Sequence, residues 1–126
     1  ISDSNEVWIE RYLGCKSRKI EIKTSKIDLI NEDGKIPFLI KIAVEGHEKK
    51  VLTGSVNTII NHRPIIIVES FPPRQLDVID YLFELGYSIQ DADRAGAVSS
   101  KTQNLFAWHP RGPLENQKVE AIVSNE

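Results

Sequence analysis

Residues 37–54 read PFLIKIAVEGHEKKVLTG, and this stretch decides the fold. An apolar run passes through a Glu-Gly pair into a segment with helical spacing. That is the form of a buried parallel strand handing over to a helix in an α/β sheet, where ligands bind at the carboxyl ends of strands. Residues 38–44, FLIKIAV, are apolar at both parities, which suits a strand covered on both faces. Lys41 interrupts the run. An unpaired lysine is costly to bury, so a carboxylate partner, Glu45 or Glu69, is expected for it. Lys41, Ala43 and Glu45 share one parity; Ile40, Ile42 and Val44 share the other. From His47 to about Asn61 the period becomes helical, with Val51, Leu52, Val56, Ile59 and Ile60 on one face.

Downstream, Pro64 ends a loop and residues 65–68, all Ile or Val, form a second buried strand ending at Glu69-Ser70. Pro72 and Pro73 preset another helix. Leu76, Ile79, Leu82 and Phe83 give it an apolar face, and Gly86 is its C-terminal cap. Residues 87–90 make a short strand, a polar loop runs to about Thr102, and residues 104–108, NLFAW, form a last strand stopped by Pro110. Upstream, residues 6–13 read as a short helix or an edge strand. Residues 19–24, KIEIKT, alternate as a half-exposed strand. Ser25 caps a helical turn through Ile30, and Asp33-Gly34 makes a polar turn. From Arg111 on, the chain reads as a tail, to which KVEAIV at 118–123 adds at most a short element.

The order strand, helix, strand, helix, strand, loop, strand implies right-handed parallel crossovers, then an antiparallel pair closing one sheet edge. The fold class is therefore α/β, a single domain over residues 1–126. With 126 residues there is room for one real core and hardly for two.

Composition excludes several classes. Forty per cent hydrophobic and 27% charged residues are ordinary for a globular domain. A net charge of -2 lacks the basic excess of a nucleic-acid binder, so no nucleic-acid partner is expected. No apolar stretch nears the roughly 20 residues that span a bilayer, and no secretory signal opens the chain. A cytosolic location is expected. Cys15 is the single cysteine, which removes internal disulfides and thiolate clusters and reads as a small core residue. Methionine is absent, at position 1 as elsewhere. The chain is therefore expected to be a processed product or an excised piece.

The motifs resemble the FkbM family of S-adenosylmethionine-dependent methyltransferases. That family's signature runs lysine, apolar, aspartate, valine, glutamate, glycine, any residue, glutamate; here it reads KIAVEGHE at 41–48. VLTG at 51–54 and RPIIIVE at 63–69 follow in the family's order, TSKIDLI at 24–30 resembles its upstream element, and NLFAWHP at 104–110 its closing strand. The match covers about residues 20–110. The resemblance implies the C-terminal half of a partial Rossmann-like methyltransferase sheet, with S-adenosylmethionine as cofactor and a hydroxyl of a sugar or other small metabolite as acceptor. Two departures count. The seven glycines form no G-x-G, so the glycine-rich turn that holds the cofactor is not found and cofactor-binding residues are not assigned. Ala43 occupies the position of the family's aspartate, whose carboxylate the resemblance places at the acceptor. Little or no activity is expected of this chain alone.

Methyl transfer to oxygen needs alignment and a place for the hydroxyl proton. The catalytic candidates are Glu45, His47 and Glu69, with Glu48 beside them. Each has a plainer reading. Glu45 can bond backbone amides of the next helix, and Glu48 can complement its dipole. His47 can be a surface-turn residue, and Glu69 can cap its own loop. Trp108 and His109 either line a pocket or pack in the core. No metal is expected: Val51 stands where H-E-x-x-H, begun at His47-Glu48, needs its second histidine. The alternative to an enzyme is a non-catalytic α/β interaction or dimerisation domain, pairing through an exposed sheet edge.

Overall fold

The computed structural model describes residues 11–115. Helix α1 (Ile27–Ile30) and a 3-10 turn (Asn31–Asp33) precede strand β1 (Leu39–Ile42). Helices α2 (Glu48–Thr53) and α3 (Val56–His62) lead to β2 (Ile65–Glu69); α4 (Gln75–Glu84) leads to β3 (Ser88–Asp91), and a loop to β4 (Asn104–Trp108). The sheet order is β1-β2-β4-β3. β1 and β2 are parallel, with Ile42 opposite Val68. β4 runs antiparallel to both β2 and β3. The expected antiparallel pair is present, with β4 inserted between β2 and β3 so that β3 is outermost. This is a mixed α/β sheet, parallel at β1-β2 and antiparallel beyond.

Both crossovers, β1 to β2 and β2 to β3, step in the same direction across the sheet. Right-handed connections then place their helices on the same face. That face is closed: Ile42, Ile66, Val68, Leu105, Ala107 and Ile89 are buried against Leu52, Ile59, Val78, Ile79 and Leu82. The other face is partly open, with Lys41 and Leu39 exposed and Ile67, Phe106 and Trp108 half-buried. The expectation that β1 is covered on both faces is corrected accordingly. Lys41 is likewise corrected: it stands exposed on the open face, with no ion pair among the described residues, and an exposed lysine needs no carboxylate partner.

Other corrections have local causes. The helix of residues 47–61 is two helices, because the Gly54 carbonyl turns out to accept the Asp28 N–H at 3.1 Å. The buried stripe of α4 is Gln75, Val78, Ile79 and Leu82; Leu76 and Phe83 face solvent. Gly86 does end that helix: it adopts φ 85°, donates its N–H to Phe83, and the Tyr87 N–H reaches Leu82. Residues 19–24 are not a strand. Ile20 and Ile22 are 73% and 79% exposed, since alternation without a neighbouring strand gives the backbone nothing to pair with. The cap of α1 is Lys26, not Ser25. Cys15 is exposed rather than core, its thiol directed at the Leu13 carbonyl. Residues 11–13 are helical. Residues 6–10 and 118–123 lie outside the described residues.

Candidate functional site

Parallel pairing brings the carboxyl ends of β1 and β2 together. Beyond Ile42 and Val68 the two strands continue into Ala43 and Glu69 respectively. β1 then turns sharply: Glu45 at φ 53° and Gly46 at φ 97° are both left-handed. A non-glycine residue there is uncommon and points to a constrained junction. Glu48, 3% exposed, accepts the Gly46 N–H at 2.9 Å and holds this turn onto the start of α2. The backbone bond anticipated for Glu45 thus falls to Glu48. Glu45 itself is exposed.

Across the junction, the β2–α4 turn lays the Arg74 side chain over Gly46. A Cβ on Gly46 would overlap the Arg74 guanidinium. An open cleft of about 240 Å³ lies here, lined by Gly46, Glu48, Lys49, Arg74, Asp77 and Val78. His47 is exposed at the N-cap of α2 and its side chain makes no cap bond. Glu69 is half-buried at the end of β2, opposite Asn104 of β4. Glu45, His47 and Glu69 therefore flank the junction without lining the cleft. Ala43 is exposed and offers no polar group beside them.

Trp108 and His109 sit elsewhere. Because β4 is antiparallel, Ala107 pairs with Ile66 and Trp108 with Ser88, at the opposite end of the sheet from Glu69. Trp108 packs against Phe106 with ring centroids 5.7 Å apart, and His109 against Tyr87 at 5.5 Å. Burial, with Arg63 and Arg111 nearby, holds the His109 imidazole below its ordinary pKa.

Sequence reasoning missed Arg74, Lys49 and Asp77. The available signal was Arg74 directly after the Pro-Pro pair, on the turn that leaves the carboxyl end of β2. It also missed Asp91, 1% exposed, whose carboxylate accepts from the Thr102 hydroxyl at 2.7 Å and from Arg94 Nη1 at 3.0 Å. Burial opposes its ionisation, but these donors and the Asp93 and Arg94 N–H groups hold its pKa below 3.8. This is a fastening of residues 92–102. No group of three or more His, Cys, Asp or Glu side chains arranged for a metal occurs among the described residues. No described helix is long and apolar enough to cross a membrane.

The strand-to-helix glycine turn at Gly46 is the place where a backbone could approach a ligand closely, and Arg74 fills it.

No curated protein and no solved structure matches the chain. The family model described as the methyltransferase FkbM domain matches residues 1–89, which includes β1, the Gly46 turn, β2 and α4. That match covers more than half of the 126 residues, and the chain belongs to the FkbM methyltransferase domain family.

Proposed function

We propose that this chain supplies the acceptor side of an S-adenosylmethionine-dependent O-methyltransferase of the FkbM type. The acceptor is a hydroxyl of a sugar or another small metabolite. The observation that carries this reading is the family match over residues 1–89, joined to a cleft at the carboxyl ends of two parallel strands. Ligands of open α/β sheets bind at that edge. No residue of this chain is assigned to the donor, since its seven glycines form no glycine-rich G-x-G turn. The cofactor supplies the methyl group; this chain's residues orient the acceptor and receive its proton. With Ala43 in place of the family's aspartate, Glu69 at the end of β2 and Glu45 after β1, which flank the junction beside the cleft, are the candidates to receive that proton.

Transfer of labelled methyl from S-adenosylmethionine by the intact protein, over a panel of hydroxylated metabolites, tests this. Label in a product ether is the expected outcome, with Glu69→Gln slower and Ala43→Asp faster. No transfer, together with no heat on titrating S-adenosylmethionine to the millimolar range, rejects it.

One observation favours a second reading, a domain that dimerises. Among the described residues β1 lies at the sheet edge, and Phe38 beside it and Leu39 within it are 62% and 46% exposed. An apolar edge strand is a template for pairing with a second copy. Sedimentation that shows a dimer, broken by Leu39→Lys, supports it.

A further inference from the structure

We propose that Arg74 binds an anionic group on the acceptor, so that the substrate is an acidic polyol such as a sugar acid or a sugar phosphate. The inference rests on the acceptor-site reading above and narrows it. Arg74 carries five N–H donors in a planar fork suited to carboxylate and phosphate. None of them meets a protein acceptor among the described residues. The guanidinium is nevertheless not a free-swinging surface group, since it lies against the backbone of Gly46. A glycine with no side chain makes that seat, and Arg74 held there lines the cleft at the strand ends.

The rest of the lining sorts by charge. Glu48 is buried and occupied by the Gly46 N–H. Lys49 adds a second cation without an ion pair among the described residues. Asp77 is exposed and forms no ion pair with Arg74. It remains as an acceptor for a hydroxyl. A ligand with one anionic group and hydroxyls satisfies both ends. The cleft, about 240 Å³, is small against the roughly 300–1,000 Å³ of most ligand sites, which fits a single sugar-sized body.

Amide and arginine-side-chain NMR of the intact protein tests this with three probes: glucose, glucuronate and glucose 6-phosphate. The Gly46 N–H and Arg74 Nε–H resonances should move with either charged sugar and stay in place with glucose. The stronger of the two responses identifies carboxylate or phosphate. Arg74→Gln, on an exposed turn, should keep a dispersed spectrum and weaken binding about tenfold or more; Arg74→Lys should weaken it less. Equal response to glucose, no response to any probe, or response unchanged in Arg74→Gln overturns the inference. Methyl transfer is not part of this readout. Anion binding without transfer would reject the enzyme and keep the site; transfer without an Arg74-dependent response would do the reverse.

Discussion

Asp28 holds Thr58 by two bonds across 30 residues of chain: its Oδ1 accepts the Thr58 N–H at 2.9 Å and the Thr58 hydroxyl at 2.8 Å. Its Oδ2 accepts the Asn57 N–H at 3.0 Å. Helix α3 needs this because Ser55, its own N-cap, donates its hydroxyl back to the Val51 carbonyl at 2.6 Å. Asp28 therefore caps α3 from outside the helix, and the aspartate of the TSKIDLI segment is a structural residue.

Replacing such a cap costs about 0.5–2 kcal/mol, and bonds to a charged group about 1.5–3 kcal/mol. Asp28→Ala should lower stability by about 2 kcal/mol in urea unfolding, and Thr58→Val by less. Burial opposes ionisation of Asp28, but the Thr58 and Asn57 N–H groups, the Thr58 hydroxyl and Lys26 hold its pKa below 3.8. The folded state thus binds the proton less readily than the unfolded chain. This contribution is complete above 3.8 and is lost as pH falls through the folded value. Asp28→Asn should flatten the acid limb of the stability curve; an unchanged limb would count against the cap.

Asp91 and Arg94 form an ion pair of unequal importance. The Asp91 side chain is 1% exposed and that of Arg94 64%. Arg94→Ala removes a solvent-screened partner and should cost under about 1 kcal/mol. Asp91→Ala strands the Thr102 hydroxyl and two backbone N–H groups, and should cost about 3 kcal/mol. Hydrogen exchange should rise across residues 92–102 in the Asp91 variant alone.

His109 makes stability depend on pH near neutrality. Its folded pKa is depressed below 6.5, chiefly by burial and then by Arg63 and Arg111. The unfolded chain then binds the proton more readily, so stability is complete above about 6.5 and falls as pH drops below it. The melting temperature should decline between pH 7.5 and 5.5, and less so in His109→Phe. A melting temperature that rises on acidification would sink this assignment.

The closed face of the sheet carries the stability. Leu52 is fully buried, and Leu52→Ala should cost about 2–5 kcal/mol. Ile22, of the same chemistry but 79% exposed, should change stability by less than about 0.5 kcal/mol on replacement by alanine. Equal effects of the two would mean that residues 19–24 pack in a way their exposure denies.

Periodicity and turn residues made the local elements legible. The run at 65–69 is a strand because Ile and Val at both parities suit nothing else bounded by prolines. Gly86 ends α4 because its left-handed φ closes the terminal bonds. The FkbM family was legible too, since its signature is a strand, a turn and a helix in contiguous order. What depends on distant residues was not legible. The break at Gly54 exists because Asp28 takes its carbonyl. Leu76 and Phe83 are exposed while Gln75, Val78, Ile79 and Leu82 are buried, because which stripe of α4 is covered depends on what the sheet places against it. PFLIKIAVEGHEKKVLTG by itself determined a strand-to-helix junction of this family. Only the tertiary structure decided what stands at that junction. Parallel pairing of β1 with β2 carries the turn after β2 across to Gly46, so Arg74, 28 positions further along the chain, occupies the space that a glycine leaves open.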